Sequence, residues 1–243
     1  IIFTYMLFIK KHAYISFNLK NFKVVNHIFM DIIKIGAPAS LSMIIMAIGQ
    51  GVFNKILIHY SPQTVAAYQV AGRLDMLIFL PIFAIAGAMT TLVGMFYGAK
   101  KYIQLNYIIR YGIGSSFIVT LFSSTFVYFF ADIFSQWFTD DPEILAISVG
   151  FLKLLCFIYP LIAIAITSGR VMQGLGKGLP VLIITVIRVL GLGAPLAYYF
   201  SMILGKPVEW NWYALMLSAT TAFLIAINWV MYELNKINLK HGV

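Results

Sequence analysis

The chain contains six apolar runs, each long enough to cross a lipid bilayer, at about residues 32–59, 65–97, 105–130, 144–172, 179–204 and 210–234. A helix needs about 20 apolar residues to span the hydrocarbon core. Inside lipid, every backbone N–H and C=O must be paired within a helix or a closed barrel. None of the runs alternates apolar and polar residues as a barrel strand does, which leaves helices. Composition agrees: 61% of the chain is hydrophobic and 10% charged, with a mean hydropathy of +0.92. A soluble domain carries about 25% charged residues. The expected class is an all-α integral membrane protein with six transmembrane helices. The run over 65–97 is longer than an untilted crossing requires, and Pro81 with Gly87 predicts a kink in it.

The stretch YPLIAIAITSGRVMQGLGKGLP, residues 159–180, shows how the runs are joined. An apolar helix ends in Ser168, Arg170 and Gln173, and Gly174, Gly176 and Gly178 form a tight turn around Lys177. Pro180 opens the next helix, where its missing N–H would be unpaired anyway. YSPQ at 60–63, GAKK at 98–101 and GKP at 205–207 read as further turns. Asp140-Asp141-Pro142-Glu143 reads as a helix N-cap with acids in the first turn.

Basic residues mark the cytoplasmic side. If the Arg170–Lys177 turn is cytoplasmic, so are the segment before the first run, the turn at 100–110 and the C-terminal tail. Those regions hold Lys10, Lys11, Lys20, Lys23, Lys34, Lys100, Lys101, Arg110, Arg170, Lys177, Lys236 and Lys240, which is 12 of 17 basic residues. The acids Asp132, Asp140, Asp141, Glu143 and Glu209 then fall outside, and Trp137, Trp210 and Trp212 fall at the outer boundary, where amphipathic rings prefer to sit. A multi-pass plasma-membrane protein with a cytoplasmic C-terminus is expected. Residues 1–9 are apolar but too short to span, and read as the end of a preceding transmembrane helix. Residues 10–31 read as a basic cytoplasmic linker, 32–234 as the membrane unit and 235–243 as the tail.

The net charge of +9 does not point to nucleic acid, because the basic residues sit in separated turns and not on one face. Cys156 is the single cysteine and excludes an intrachain disulfide. His12, His27, His59 and His241 are dispersed, and no metal site is expected from them. No HExxH, GxSxG or Walker loop occurs, and Gly174-x-Gly176-x-Gly178 follows a helix where a dinucleotide site would follow a strand. The chain does not read as an enzyme.

Charge inside a bilayer is costly and faces a cavity or a partner. Arg73, Asp75, Lys153 and Arg188 are the charges left within the runs. Gln50 and Asn54 are four apart and share a helix face, as do Gln69 and Arg73. Gln50, Asn54, Gln69, Arg73 and Arg188 are therefore candidates for lining a polar cavity. The alternative is structural: amides that hold helices together, Arg73 paired with a neighbouring helix, and Lys153 snorkelling outward. Arg73 and Asp75 are two apart and cannot face each other within one helix, so their partners lie elsewhere. Met43, Met46, Met76, Met89 and Met95 could form an adaptable binding surface or simply face lipid and core.

AAYQVAGR at 66–73, Leu80-Pro81, GAMTTLVG at 87–94 and GAK at 98–100 resemble the second helix of the C-terminal lobe in the multidrug and toxic compound extrusion (MATE) family. Tyr159-Pro160, Gly169, Gln173-Gly174-x-Gly176 and Pro180 resemble the turn between that family's helices 10 and 11, and Ile35-Gly36-x-Pro38 the start of its helix 7. The resemblance runs from residue 31 to residue 233. It implies one six-helix lobe of a twelve-helix transporter, with 1–9 as the end of helix 6, 10–31 as the inter-lobe linker and an N-terminal six-helix lobe as the absent partner. It also implies secondary active transport, with export of drugs or small organic cations in exchange for Na⁺ or H⁺ and no other cofactor. Some branches carry a coupling carboxylate on helix 7 or 10. Here the first span has no acid after Asp31, Met46 stands about where the helix 7 acid would be, and the fourth has none after Glu143. The coupling ion is therefore expected in the N-terminal lobe. Relatives that flip lipid-linked oligosaccharides often carry cationic cavities, and Arg73, Lys153 and Arg188 keep that alternative open. A channel would need a filter-like repeat, and none is visible.

Overall fold

The computed structural model describes residues 25–242, so the expected helix end at 1–9 and most of the expected linker lie outside the described residues. Every regular element among the described residues is helical: α1 Asn26–Leu57, α2 Pro62–Gly98, α3 Tyr102–Gln136, α4 Pro142–Cys156, α5 Tyr159–Gly174, α6 Leu179–Ile203 and α7 Glu209–His241. Five of them are long and apolar enough to cross a membrane, and α4 with α5 makes a sixth crossing bent by 59°. The chain divides after Ile33. The first unit contributes, within the described residues, only the opening turns of α1. The second unit, Lys34–Val243, holds everything described below.

Three boundaries differ from the sequence expectation, each for a local reason. The fourth run is two helices, because Pro160 has no N–H to offer Cys156 and the α-ladder cannot continue. The chain tightens at Phe157–Ile158, where Ile158 N donates to Leu155 O at 2.8 Å. α1 begins at Asn26, inside the segment expected to be linker. α7 runs on to His241, so most of the expected polar tail is helical. That last turn is held against the start of α3: Asn106 Nδ2 donates to Asn238 Oδ1 at 2.6 Å, and His241 stacks on Tyr102 with centroids 4.0 Å apart. α2 is one helix through Pro81 and Gly87.

The caps follow the sequence closely. Ser61 caps α2 by accepting from Thr64 N at 3.1 Å, with Pro62 in the first turn. Asp141 Oδ1 caps α4 by accepting from Glu143 N at 2.9 Å and Ile144 N at 3.3 Å.

α5 lies at the centre, packed on α2, α3 and α7. The buried faces use small residues: Gly112, Ser116, Thr120 and Ser124 on α3, Ala163 and Thr167 on α5, and Ala214, Ser218, Ala222 and Ala226 on α7. Lipid is as apolar as a leucine side chain, so helices associate through close packing and hydrogen bonds, and small residues permit the approach. Thr167 Oγ1 donates to Ser116 Oγ at 2.9 Å in the α3–α5 seam.

The glycine-rich turn is a Schellman motif. Gly176 takes φ +81°, Lys177 N donates to Met172 O and Gly176 N donates to Gln173 O, both at 2.9 Å. A Cβ on Gly174 would sit 2.7 Å from Thr90 O, and one on Gly178 would sit 2.7 Å from Lys34 O. The turn thus meets the backbones of α2 and α1, and Lys177 pairs with Glu233 of α7. At the opposite end, Tyr60 Oη donates to Ser201 Oγ or Lys206 O (2.8 Å each), Ser201 Oγ donates to Asn211 Oδ1 at 2.9 Å, and Asn211 Nδ2 returns to Tyr60 Oη at 3.1 Å.

Candidate functional site

Between α1, α2, the α4–α5 bend and α6 lies a cavity of about 630 Å³. Its walls are aromatic and thioether: Phe53, Tyr68, Phe79 and Phe151, with Met43, Met46 and Met76. Into this apolar surface project a few polar groups: Gln50, Gln69, Asp75, Tyr159 and Arg188. A mostly apolar concavity with a small number of placed polar groups is the usual form of a small-molecule site.

Each polar group is delivered by a local feature. α2 buries Ala67, Ala71, Leu74, Ile78 and Ile82, which recur at helical spacing, and Asp75 sits on the shoulder of that face. Tyr159 is the first residue of α5, so the Pro160 break carries it to the cavity wall. Its hydroxyl donates to Asp75 Oδ1, and its ring meets Phe79 edge-on, centroids 5.7 Å apart.

Arg188 lies in a π-helical turn, Ile187–Gly193. The cause is Pro195. It has no N–H for Gly191 O, and the Ala194 N–H reaches back five residues to Val189 O. Gly49 of α1 is packed against Val189, with no room for a Cβ, which seats α1 beside the Arg188 turn.

Charged groups within the spans differ in how they are met. Lys153 pairs with Asp132 at 2.8 Å, across from α4 to the end of α3. Glu233 pairs with Lys177. Asp75 accepts from Tyr159 and has no cationic partner among the described residues. Arg188 makes no hydrogen bond or ion pair with any described residue.

Of the five candidates read from the sequence, Gln50, Gln69 and Arg188 line the cavity. Asn54 does not; it is half-buried and accepts from Gln69 Nε2 at 3.3 Å. Arg73 does not line it either. It is exposed, with its guanidinium 5.8 Å from the centroid of the Phe138 ring beyond the end of α3. Met43, Met46 and Met76 line the cavity, whereas Met89 is buried in the core and Met95 is exposed. The aromatic wall and the Asp75–Tyr159 bond were not anticipated. Their signals were present: Asp75 is the only acid in the 65–97 run, and Tyr159 precedes the proline that breaks a span. No group of His, Cys, Asp and Glu among the described residues could hold a metal ion.

The MatE family profile matches residues 38–199. A probable multidrug resistance protein, NorM, of Thermotoga maritima is 27% identical over 168 residues, covering 69% of this chain and 36% of that protein. NorM of Bacillus anthracis is 25% identical over 219 residues, covering 89% and 48%. The multidrug export protein MepA of Staphylococcus haemolyticus is 25% identical over 177 residues. Among solved structures, MATE in the bent conformation superposes with a TM-score of 0.90 at 26% identity, covering 99% of this chain and 53% of that one. A MOP superfamily transporter from Pyrococcus furiosus gives 0.91 at 26% identity, covering 98% and 53%. The chain thus spans about half the length of the relatives it matches, or less.

Proposed function

The chain belongs to the MatE family of multidrug and toxic compound extrusion proteins, and from that membership we propose that it is one six-helix lobe of a secondary active transporter that exports drugs or organic cations from the cell. The lobe works with a second six-helix unit. Transport is driven by exchange for Na⁺ or H⁺ across the plasma membrane, with the C-terminus in the cytoplasm, and no enzymatic step is involved. In alternating access, two repeats rock about a site at their interface, and a lone lobe has nothing to rock against.

The observation that carries this reading is the cavity: about 630 Å³ of aromatic and methionine wall holding a carboxylate, two amides and one guanidinium. Aromatic faces attract cations through their quadrupoles, and thioethers adapt to many shapes. The flippase alternative finds no support in the family matches. Two of the three cations that kept it open are also engaged elsewhere, Lys153 with Asp132 and Arg73 over Phe138.

Ethidium efflux tests the reading in cells producing residues 1–243 alone and in cells where the chain is joined to the N-terminal six helices of a NorM relative. Efflux is expected only from the joined protein, and it should stop when the Na⁺ and H⁺ gradients are collapsed. Efflux by the chain alone, shown not to self-associate, would overturn the two-lobe reading. A leak that ignores both gradients would replace antiport by a channel.

A further inference from the structure

We propose that Arg188 is the anion-receiving group of the cavity, so that the molecules it takes include ones that carry a carboxylate or comparable acid on an aromatic or apolar body. The proposal rests on the reading of the cavity as a transport site and adds acid-bearing molecules to its substrates. A charge held inside a membrane span ordinarily meets a partner. Several charged groups within the spans do: Lys153 meets Asp132, Glu233 meets Lys177, Asp75 meets the Tyr159 hydroxyl, Arg73 meets the Phe138 ring and Arg170 meets Gln173. Arg188 has no hydrogen bond or ion pair with any described residue, and unlike the exposed Lys55 and Arg110 it is half-buried and lines the cavity. Asp75 lines the same cavity and makes no ion pair with Arg188.

The backbone makes this placement deliberate. Arg188 stands in the π-helical turn that Pro195 imposes, and such turns concentrate at functional sites. Gly49 leaves room for Val189, so α1 closes against the turn and the guanidinium is left at the cavity. A guanidinium offers five N–H donors in a planar fork, which a carboxylate or phosphate matches with two parallel bonds. The surrounding Phe53, Tyr68 and Phe79 accept a flat apolar body. With Asp75 also present, a molecule bearing an acid and a cationic nitrogen would satisfy both charges. Two sources could present the acid, a lipid headgroup or a dissolved amphiphile.

Binding to the purified chain in nanodiscs of neutral phosphatidylcholine tests the proposal. The probes are 2-naphthoate and its uncharged counterpart 2-naphthamide, with tetraphenylphosphonium as a cation that needs no arginine. The wild-type chain should bind naphthoate roughly tenfold or more tightly than naphthamide, the usual size of a charge-assisted contact. Arg188→Gln should abolish that preference while leaving tetraphenylphosphonium binding in place. Arg188→Lys should restore part of it, since a lysine keeps the charge but not the fork. Equal binding of acid and amide by the wild-type chain would overturn the proposal without recourse to any variant, as would a preference that survives in Arg188→Gln. In discs containing phosphatidylglycerol, lost naphthoate binding would assign the site to a lipid headgroup, and unchanged binding to a soluble acid. Both results keep Arg188 as the receiver. Because the measurement is equilibrium binding, it can fail where efflux succeeds and succeed where efflux fails.

Discussion

The hydroxyl of Tyr159 is the one hydrogen-bond donor to Asp75 among the described residues. Removing it leaves a carboxyl group in an apolar setting without a partner. Tyr159→Phe should therefore lower stability by about 1–3 kcal/mol, the usual cost of a polar group left unmet. Thermal unfolding in detergent reads this, and an unchanged midpoint would mean that Asp75 draws no support from α5. Arg73 should behave differently. Its guanidinium lies over an exposed ring, a contact worth roughly 0.5–1 kcal/mol. Arg73→Ala should leave tetraphenylphosphonium binding to the cavity unchanged and cost no more stability than that. Weakened binding would return Arg73 to the cavity. The two residues show the reach of spacing at this scale. Two positions apart on a helix is about 200° of rotation, so the sequence already separates Arg73 from Asp75. Which of them points inward depends on where α5 lies, and that is a long-range fact. The amides repeat the lesson: Gln50 and Asn54 share a face, but only Gln50 lines the cavity, while Asn54 is bonded to Gln69.

Helix ends carry much of the architecture. α2 closes in a Schellman motif whose left-handed residue is Lys100, at φ +59°. Lys101 N donates to Phe96 O at 3.0 Å to complete it. A side chain in that conformation costs about 1–2 kcal/mol that glycine avoids. Lys100→Gly should accordingly raise stability by about 1 kcal/mol once glycine's extra chain entropy is deducted, read as a higher unfolding midpoint. Gly178 is the opposite case. An added Cβ would stand 2.7 Å from Lys34 O and 2.8 Å from Ile35 Cα, both backbone atoms that cannot step aside. Gly178→Ala should destabilise by about 1–3 kcal/mol through overpacking, and a midpoint equal to the wild type would show that α1 yields at that contact. The two prolines that shape the site act in the same local way. Pro160 breaks a span and Pro195 widens a turn, each by withholding one N–H. The sequence reading placed both inside apolar runs but carried the first run straight through its break, because apolarity continues across 144–172 while the hydrogen-bond ladder does not.

For the whole molecule, the basic residues of the α2–α3 and α5–α6 turns and of the end of α7 fall at one end of the spans, and the acids of the α3–α4 turn at the other. The expected orientation puts the first end in the cytoplasm. Asp140 and Lys236 are both exposed and report the two ends. In a Cys156-free background, an impermeant maleimide applied to intact cells should label Asp140→Cys, and should label Lys236→Cys only after lysis. The reverse pattern would invert the topology. Cys156 itself is buried in the core near the α4–α5 bend, so its removal calls for a small apolar replacement such as alanine.

Helical class, number of crossings, the turns between crossings and charge asymmetry were all determined by the sequence alone. The reason is local: a backbone in lipid must pair its own N–H and C=O groups, so a run of about 20 apolar residues has one solution. The motifs at 66–100 and 159–180 likewise carried the family. Only the tertiary structure decided which polar residues meet. Asp75 and Tyr159 are far apart in the chain and come together through the α4–α5 bend. Arg188 is turned to the cavity by a π-helical widening set by Pro195 and by the approach of α1 at Gly49. Inside a membrane, apolar residues face lipid and protein alike, so periodicity does not reveal which face is buried; the packing of neighbouring helices does.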